Sequence, residues 1–163
     1  APLLGFALLG NYSLALQFFI ILYVIPLIIY KYLLPQDASG NPNNKLKQTA
    51  VLLSVAIAGF GIILFPHIIP NFFPKFIEAI EAIQIMSIAI IPAMFSLLYT
   101  SKLLGLEKSK FVLISKIIAT SSLIIGFIIL GPIFGIIGLA YVFLLTGIFE
   151  ACFLYSISKI KKL

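Results

Sequence analysis

The feature that most constrains this chain is an uncharged, glycine-rich turn from Leu130 to Ala140, L-G-P-I-F-G-I-I-G-L-A. It joins two apolar runs, 111–130 and 136–157, each close to the ~20 residues that cross a bilayer core. Gly131 and Pro132 are expected to break the first helix, and Gly135 and Gly138 to let the second start close against its neighbour. The spacing predicts a tight transmembrane hairpin.

A hairpin also sets a depth scale, because antiparallel helices rise equally from a shared turn. Counted from Ile133, Lys116 lies 17 residues back and Glu150 17 residues forward. At ~1.5 Å per residue, both sit roughly 25 Å from the turn. The two charges inside these runs therefore share one level.

The rest of the chain is of the same kind. Of 163 residues, 62% are hydrophobic and 10% charged, with a mean hydropathy of +1.21, where soluble domains carry about 25% charged residues. A soluble domain of this size has no interior large enough for so much apolar surface, so the expected class is all-α, a polytopic transmembrane helix bundle. The net charge of +6 does not point to nucleic acid, since the lysines fall in short loops between apolar runs. Cys152 is the single cysteine, which excludes an internal disulfide and fits a small packing residue. The chain does not open with the basic flank and short apolar core of a signal peptide.

Five spans are expected, at about 12–34, 48–65, 77–99, 111–130 and 136–157, in a single transmembrane domain that reads as part of a longer protein. Residues 1–11, interrupted by Pro2, Gly5, Gly10 and Asn11, read as a lead-in. Pro26 should kink the first span, because it cannot donate to the Leu22 carbonyl. Residues 35–44 (P-Q-D-A-S-G-N-P-N-N) read as a polar loop. Gly59 and Gly61 suit the second span to close packing. Residues 65–76 (F-P-H-I-I-P-N-F-F-P-K-F) hold prolines at 66, 70 and 74 and read as a non-helical interfacial connector. Pro92 in the third span frees the Ile88 carbonyl. Five spans put nine of the eleven lysines (31, 45, 47, 102, 108, 110, 159, 161 and 162) on one side and Lys75 alone on the other. Lysine accumulates on the cytoplasmic side, so the N-terminus is expected outside and the C-terminus inside, in the cell (cytoplasmic) membrane.

Few residues can carry chemistry. Lys116 and Glu150 either pair as a structural lock on the hairpin or face a cavity, where Lys116 would attract an anionic group; helical rotation decides. Gln17 and Gln84 are candidates for a substrate path beside the bends at Pro26 and Pro92, or else packing devices. His67, the only histidine, reads as solvated or capping, and Glu78 and Glu81 as acids at a helix start. Asn11-Tyr-Ser13 fits a glycosylation triplet close to the membrane. Nothing resembles a nucleophile with its base or a metal cluster, so neither an enzyme nor a cofactor is expected.

Several segments resemble the C-terminal half of a polysaccharide or O-antigen (lipid-linked oligosaccharide) flippase of the multidrug/oligosaccharidyl-lipid/polysaccharide exporter superfamily. They are L-L-G-N-Y-S-L-A-L-Q at 8–17, V-I-P at 24–26, L-L-P at 33–35, F-F-P-K-F-I-E-A-I-E-A-I-Q-I-M-S at 72–87 and F-G-I-I-G-L-A at 134–140. The resemblance implies about twelve helices in two lobes around a cavity, with alternating access moving a lipid-linked sugar outward. It also implies a missing N-terminal lobe as partner, besides membrane lipids and the lipid-linked substrate. The chain contains no arginine, so of the cations such cavities use for pyrophosphate only Lys116 would remain. The alternatives are a cation-coupled drug or metabolite antiporter using Glu150, and a non-transporting membrane subunit whose glycine-rich faces bind partner helices.

Overall fold

The structure is a computed structural model that describes residues 5–160; Pro2, Lys161 and Lys162 lie outside the described residues. Among those described, the chain is helical throughout, with no strand. Its elements are α1 (Phe6–Ala38), α2 (Asn44–Phe72), a 3₁₀ helix (Pro74–Ala79), α3 (Ile80–Ile88), α4 (Ile90–Gly105) and α5 (Ser109–Ile160). Four helical stretches, Phe6–Ala38, Asn44–Phe72, Pro74–Gly105 and Ser109–Lys159, are long and apolar enough to cross a membrane. The chain is therefore built as a multi-pass membrane protein.

α5 is one stretch in sequence and two in space. Its backbone leaves the helical region at Gly135, with φ 59° and ψ −140°, a conformation that only glycine adopts without strain. A straight helix would separate Lys116 from Glu150 by roughly 51 Å, yet Lys116 Nζ lies 2.6 Å from Glu150 Oε1. The two arms therefore run antiparallel. Their register is symmetric about the turn: a Cβ on Gly138 would stand 2.6 Å from the Leu130 carbonyl oxygen, and one on Gly126 2.5 Å from Val142 Cγ1. The break falls later than expected, since Gly131 and Pro132 continue the first arm as helix. Three residues separate Pro132 from Gly135, and only the glycine can take the positive φ that reverses the chain.

Prolines elsewhere also stay inside helices. The expected lead-in is helical from Phe6, and α1 runs through Pro26 and on past Pro35 to Asp37 and Ala38, so the loop expected at 35–44 shrinks to residues 39–43. α2 continues through Pro66 and Pro70 to Phe72, where an irregular connector was expected. The reason is local compensation: Pro66 cannot donate to the Ile62 carbonyl, and Gln84 Nε2 donates to that oxygen instead at 3.2 Å. Pro92 does interrupt its helix. With the Ile88 carbonyl deprived of its usual donor, the chain tightens at Ala89, whose N–H donates to the Met86 carbonyl at 3.0 Å.

α3 and α4 form the centre of the bundle. Ile83, Met86, Ile90 and Met94 recur at three- and four-residue spacing and are fully buried. α1 packs on α4 and α3, α2 on α3 and α4, and α5 on α4 and α3. Gly61 is the closest approach of α2: a Cβ there would lie 2.6 Å from Ser87 Oγ and 2.9 Å from Leu22 Cδ1. Gly59, expected to pack in the same way, has no atom within 4 Å of such a Cβ. Outward-facing positions such as Ile20, Ile28, Leu52, Ile63, Ile128 and Phe149 are exposed and apolar, the pattern of a surface solvated by lipid.

The bundle has two distinct ends. At one, Asn11 Nδ2 donates to Glu78 Oε2 at 3.2 Å, and Leu8 meets the Gly135 turn. At the other, Asp37, Lys47 and Ser101 join α1, α2 and α4, and Tyr99 meets Tyr155, linking α4 to the end of α5.

Candidate functional site

Several polar residues of α5 collect along one side of the folded hairpin. Ser115 and Ser122, seven residues apart, share a face of the first arm; Thr146 and Glu150, four apart, share a face of the second. Where the arms converge these residues, with Ala119, Phe149, Cys152 and Ser156, line a groove of about 470 Å³. Ser115 Oγ donates to the Val112 carbonyl at 2.8 Å and Ser156 Oγ to the Cys152 carbonyl at 2.8 Å. Each hydroxyl oxygen keeps lone pairs for a guest.

Glu150, which lines this groove, meets Lys116 beside it. The ammonium is 2.6 Å from Oε1, close enough for an ion pair but without the alignment of a hydrogen bond. The partners differ in environment: the Lys116 side chain is 54% exposed and that of Glu150 12%. A carboxylate withdrawn from solvent inside a membrane-length helix needs a counter-charge, and Lys116 supplies it from the outer side of the pair. Tyr23 of α1 lies within electrostatic reach of Glu150. The arrangement thus contains a cation able to exchange its carboxylate for another anion, beside a row of hydroxyls.

The other residues singled out from sequence lie apart. Gln17 is exposed on α1, and Gln84 is committed to the Ile62 carbonyl across the α2–α3 interface. Pro26 is fully buried within α1. His67 Nδ1 stands 2.8 Å from the Ile63 carbonyl on an exposed face, and no group of three metal-ligating side chains occurs among the described residues. Asn11 is buried and bonded to Glu78, which removes its amide from the surface a glycosyl acceptor needs. Glu81 occupies the first turn of α3.

One polar centre was not legible in the sequence. Asp37 accepts from Lys47 Nζ at 2.6 Å and from Ser101 Oγ at 2.6 Å, and its side chain is 3% exposed. Gly105 makes room for it: a Cβ there would lie 2.7 Å from the Asp37 backbone carbonyl. Asp37 sits among Pro, Gln, Ser and Gly, a composition that reads as loop, and only the Asp-to-Lys spacing of ten residues hinted at a link across a short turn. With both carboxylate oxygens engaged, this centre fastens three helix ends together.

The chain matches no protein-family model, no curated protein and no solved structure.

Proposed function

We propose that this chain is the C-terminal lobe of a membrane transporter, a flippase that moves lipid-linked oligosaccharide by alternating access. In this reading the folded α5 counts as two passes, giving five spans with the N-terminus outside and the lysine-rich end inside. The observation that carries the proposal is the Lys116–Glu150 pair beside a hydroxyl-lined groove within membrane-length helices. Structural ion pairs are satisfied by two charges alone; here the lysine is half exposed and open to a competing anion. The pyrophosphate of a lipid-linked sugar would draw the Lys116 ammonium from Glu150 as it enters and return it on release. The interruption at Ala89, next to the Ile88 carbonyl that Pro92 leaves without its helical donor, gives the lobe a place to flex between its states.

A second reading, a cation-coupled antiporter, is favoured by the burial of Glu150. A carboxylate in that setting trades its lysine for a proton or sodium ion as the transport cycle turns.

The test is translocation of lipid-linked oligosaccharide by the full-length protein in liposomes, comparing wild type with Lys116→Ala and Glu150→Ala. Loss of transport in Lys116→Ala with unchanged folding supports the flippase. Wild-type transport that requires an ion gradient, lost in Glu150→Ala and kept in Lys116→Ala, supports the antiporter. Normal transport in both variants, with lower thermal stability, reduces the pair to a hairpin lock.

A further inference from the structure

On the opposite side of the second α5 arm lies a groove of different character. Ile88, Ile91, Pro92 and Phe95 form one wall; Leu144, Ile148, Ala151 and Cys152 form the other, bounding about 500 Å³ with Tyr99 and Tyr155 at one end. No charged side chain lines it. Leu144 and Tyr155 stand eleven residues apart on the second α5 arm, so the groove is about 17 Å long. That is the depth of one leaflet of a ~30 Å hydrocarbon core.

The groove does not end in an apolar cap. Phe95 and Tyr99 also line a second cavity, of about 340 Å³, whose remaining walls include Lys47, Gln48 and Lys102. Lys159 stands over the Tyr155 ring, 4.7 Å from its centroid, and Tyr155 in turn packs on Tyr99 with centroids 5.4 Å apart. Two tyrosines therefore mark the mouth, with Lys102 and Lys159 exposed beside it. Lys47 is already engaged by Asp37, which leaves Lys102 and Lys159 as the cations for a ligand.

We infer that this groove is a binding site for an anionic membrane phospholipid, with one acyl chain between α4 and the second α5 arm and the phosphate between Lys102 and Lys159. A partner helix would be served by the apolar walls alone. Continuity of an apolar slot one leaflet deep with a cationic, tyrosine-rimmed mouth matches an amphiphile whose charge is negative. The site meets the hydroxyl-lined groove only at Cys152, which lines both, and does not depend on the transport reading.

Native mass spectrometry of the full-length protein in detergent tests it, with dioleoyl-phosphatidylglycerol and dioleoyl-phosphatidylcholine as probes of identical chains. Wild type is expected to retain the phosphatidylglycerol about thirtyfold better, the order that two lysines near a headgroup contribute. Lys102→Gln with Lys159→Gln, both surface changes, should bring retention down to that of phosphatidylcholine. Equal retention of the two lipids, or a preference that survives the double substitution, overturns the proposal.

Discussion

Replacing Gly135 with alanine separates backbone strain from steric clash at the turn that folds α5. The residue sits at φ 59° and ψ −140°, and a Cβ there would meet only Leu8 Cδ1, at 3.5 Å. Space is available, so the whole cost is conformational, about 1–3 kcal/mol for a side chain held in this region. Gly59→Ala is the matched control: no atom lies within 4 Å of its Cβ, and inside a helix alanine gains about 0.5–1 kcal/mol over glycine. The same substitution should therefore move the melting temperature in opposite directions at the two sites. At roughly 2–4 °C per kcal/mol, the values are separable by circular dichroism in detergent. Register is checked with the pair Gly126→Cys and Val142→Cys, because a Cβ on residue 126 would stand 3.3 Å from that of Val142, near the spacing a disulfide requires. Gly135→Ala should slow formation of this cross-link. If Gly135→Ala melts at or above wild type with cross-linking intact, the turn is not where the hairpin's specificity resides.

Three further substitutions test the polar contacts. Gln84→Leu should cost about 1–3 kcal/mol by stranding the Ile62 carbonyl, and most of that loss should vanish in a Pro66→Ala background, where residue 66 again donates to it; a double-mutant cycle by thermal unfolding reads the coupling. Asp37→Ala should lower stability by about 3 kcal/mol, because Lys47 and Ser101 lose a shared buried acceptor, and denaturant unfolding of the purified protein checks it. Lys116→Met alone should cost about 1–2 kcal/mol, a buried-pair loss discounted for the half-exposed lysine. Adding Glu150→Gln should recover most of it, again read as a melting temperature.

Much of the architecture was legible before any coordinates. The apolar runs foretold membrane-length helices, and symmetric counting about Ile133 placed Lys116 against Glu150, a contact the structure makes at 2.6 Å. Helix boundaries were less legible, and proline was the reason. Pro35, Pro66, Pro70 and Pro132 were read as breaks, yet all lie inside helices. A missing N–H ends a helix in water, where other conformations are readily solvated; in an apolar setting the helix persists because every alternative exposes more unpaired backbone. Pro74 does stand past a helix end, opening the 3₁₀ helix after Phe73, and ahead of Pro92 the chain tightens at Ala89. The hydroxyl-lined groove was half visible: the Thr146–Glu150 and Ser115–Ser122 spacings are in the sequence, but nothing there says that the two faces meet.

By itself, then, the sequence determined the all-helical class, the membrane-length runs and the equal distance of Lys116 and Glu150 from the turn. These follow from composition and from distance along a helix of fixed rise. Tertiary structure decided which way each helix is turned. It selected Gln84 as the donor to the carbonyl Pro66 abandons, buried Asp37 beneath Lys47 and Ser101, and set the hydroxyl groove and the tyrosine-rimmed groove on different sides of one arm. The physical reason is that lipid and protein interior are equally apolar. A helix facing both carries little hydrophobic asymmetry from which its rotation could be read, so rotation is fixed only by the close contacts and polar pairings of the packed bundle.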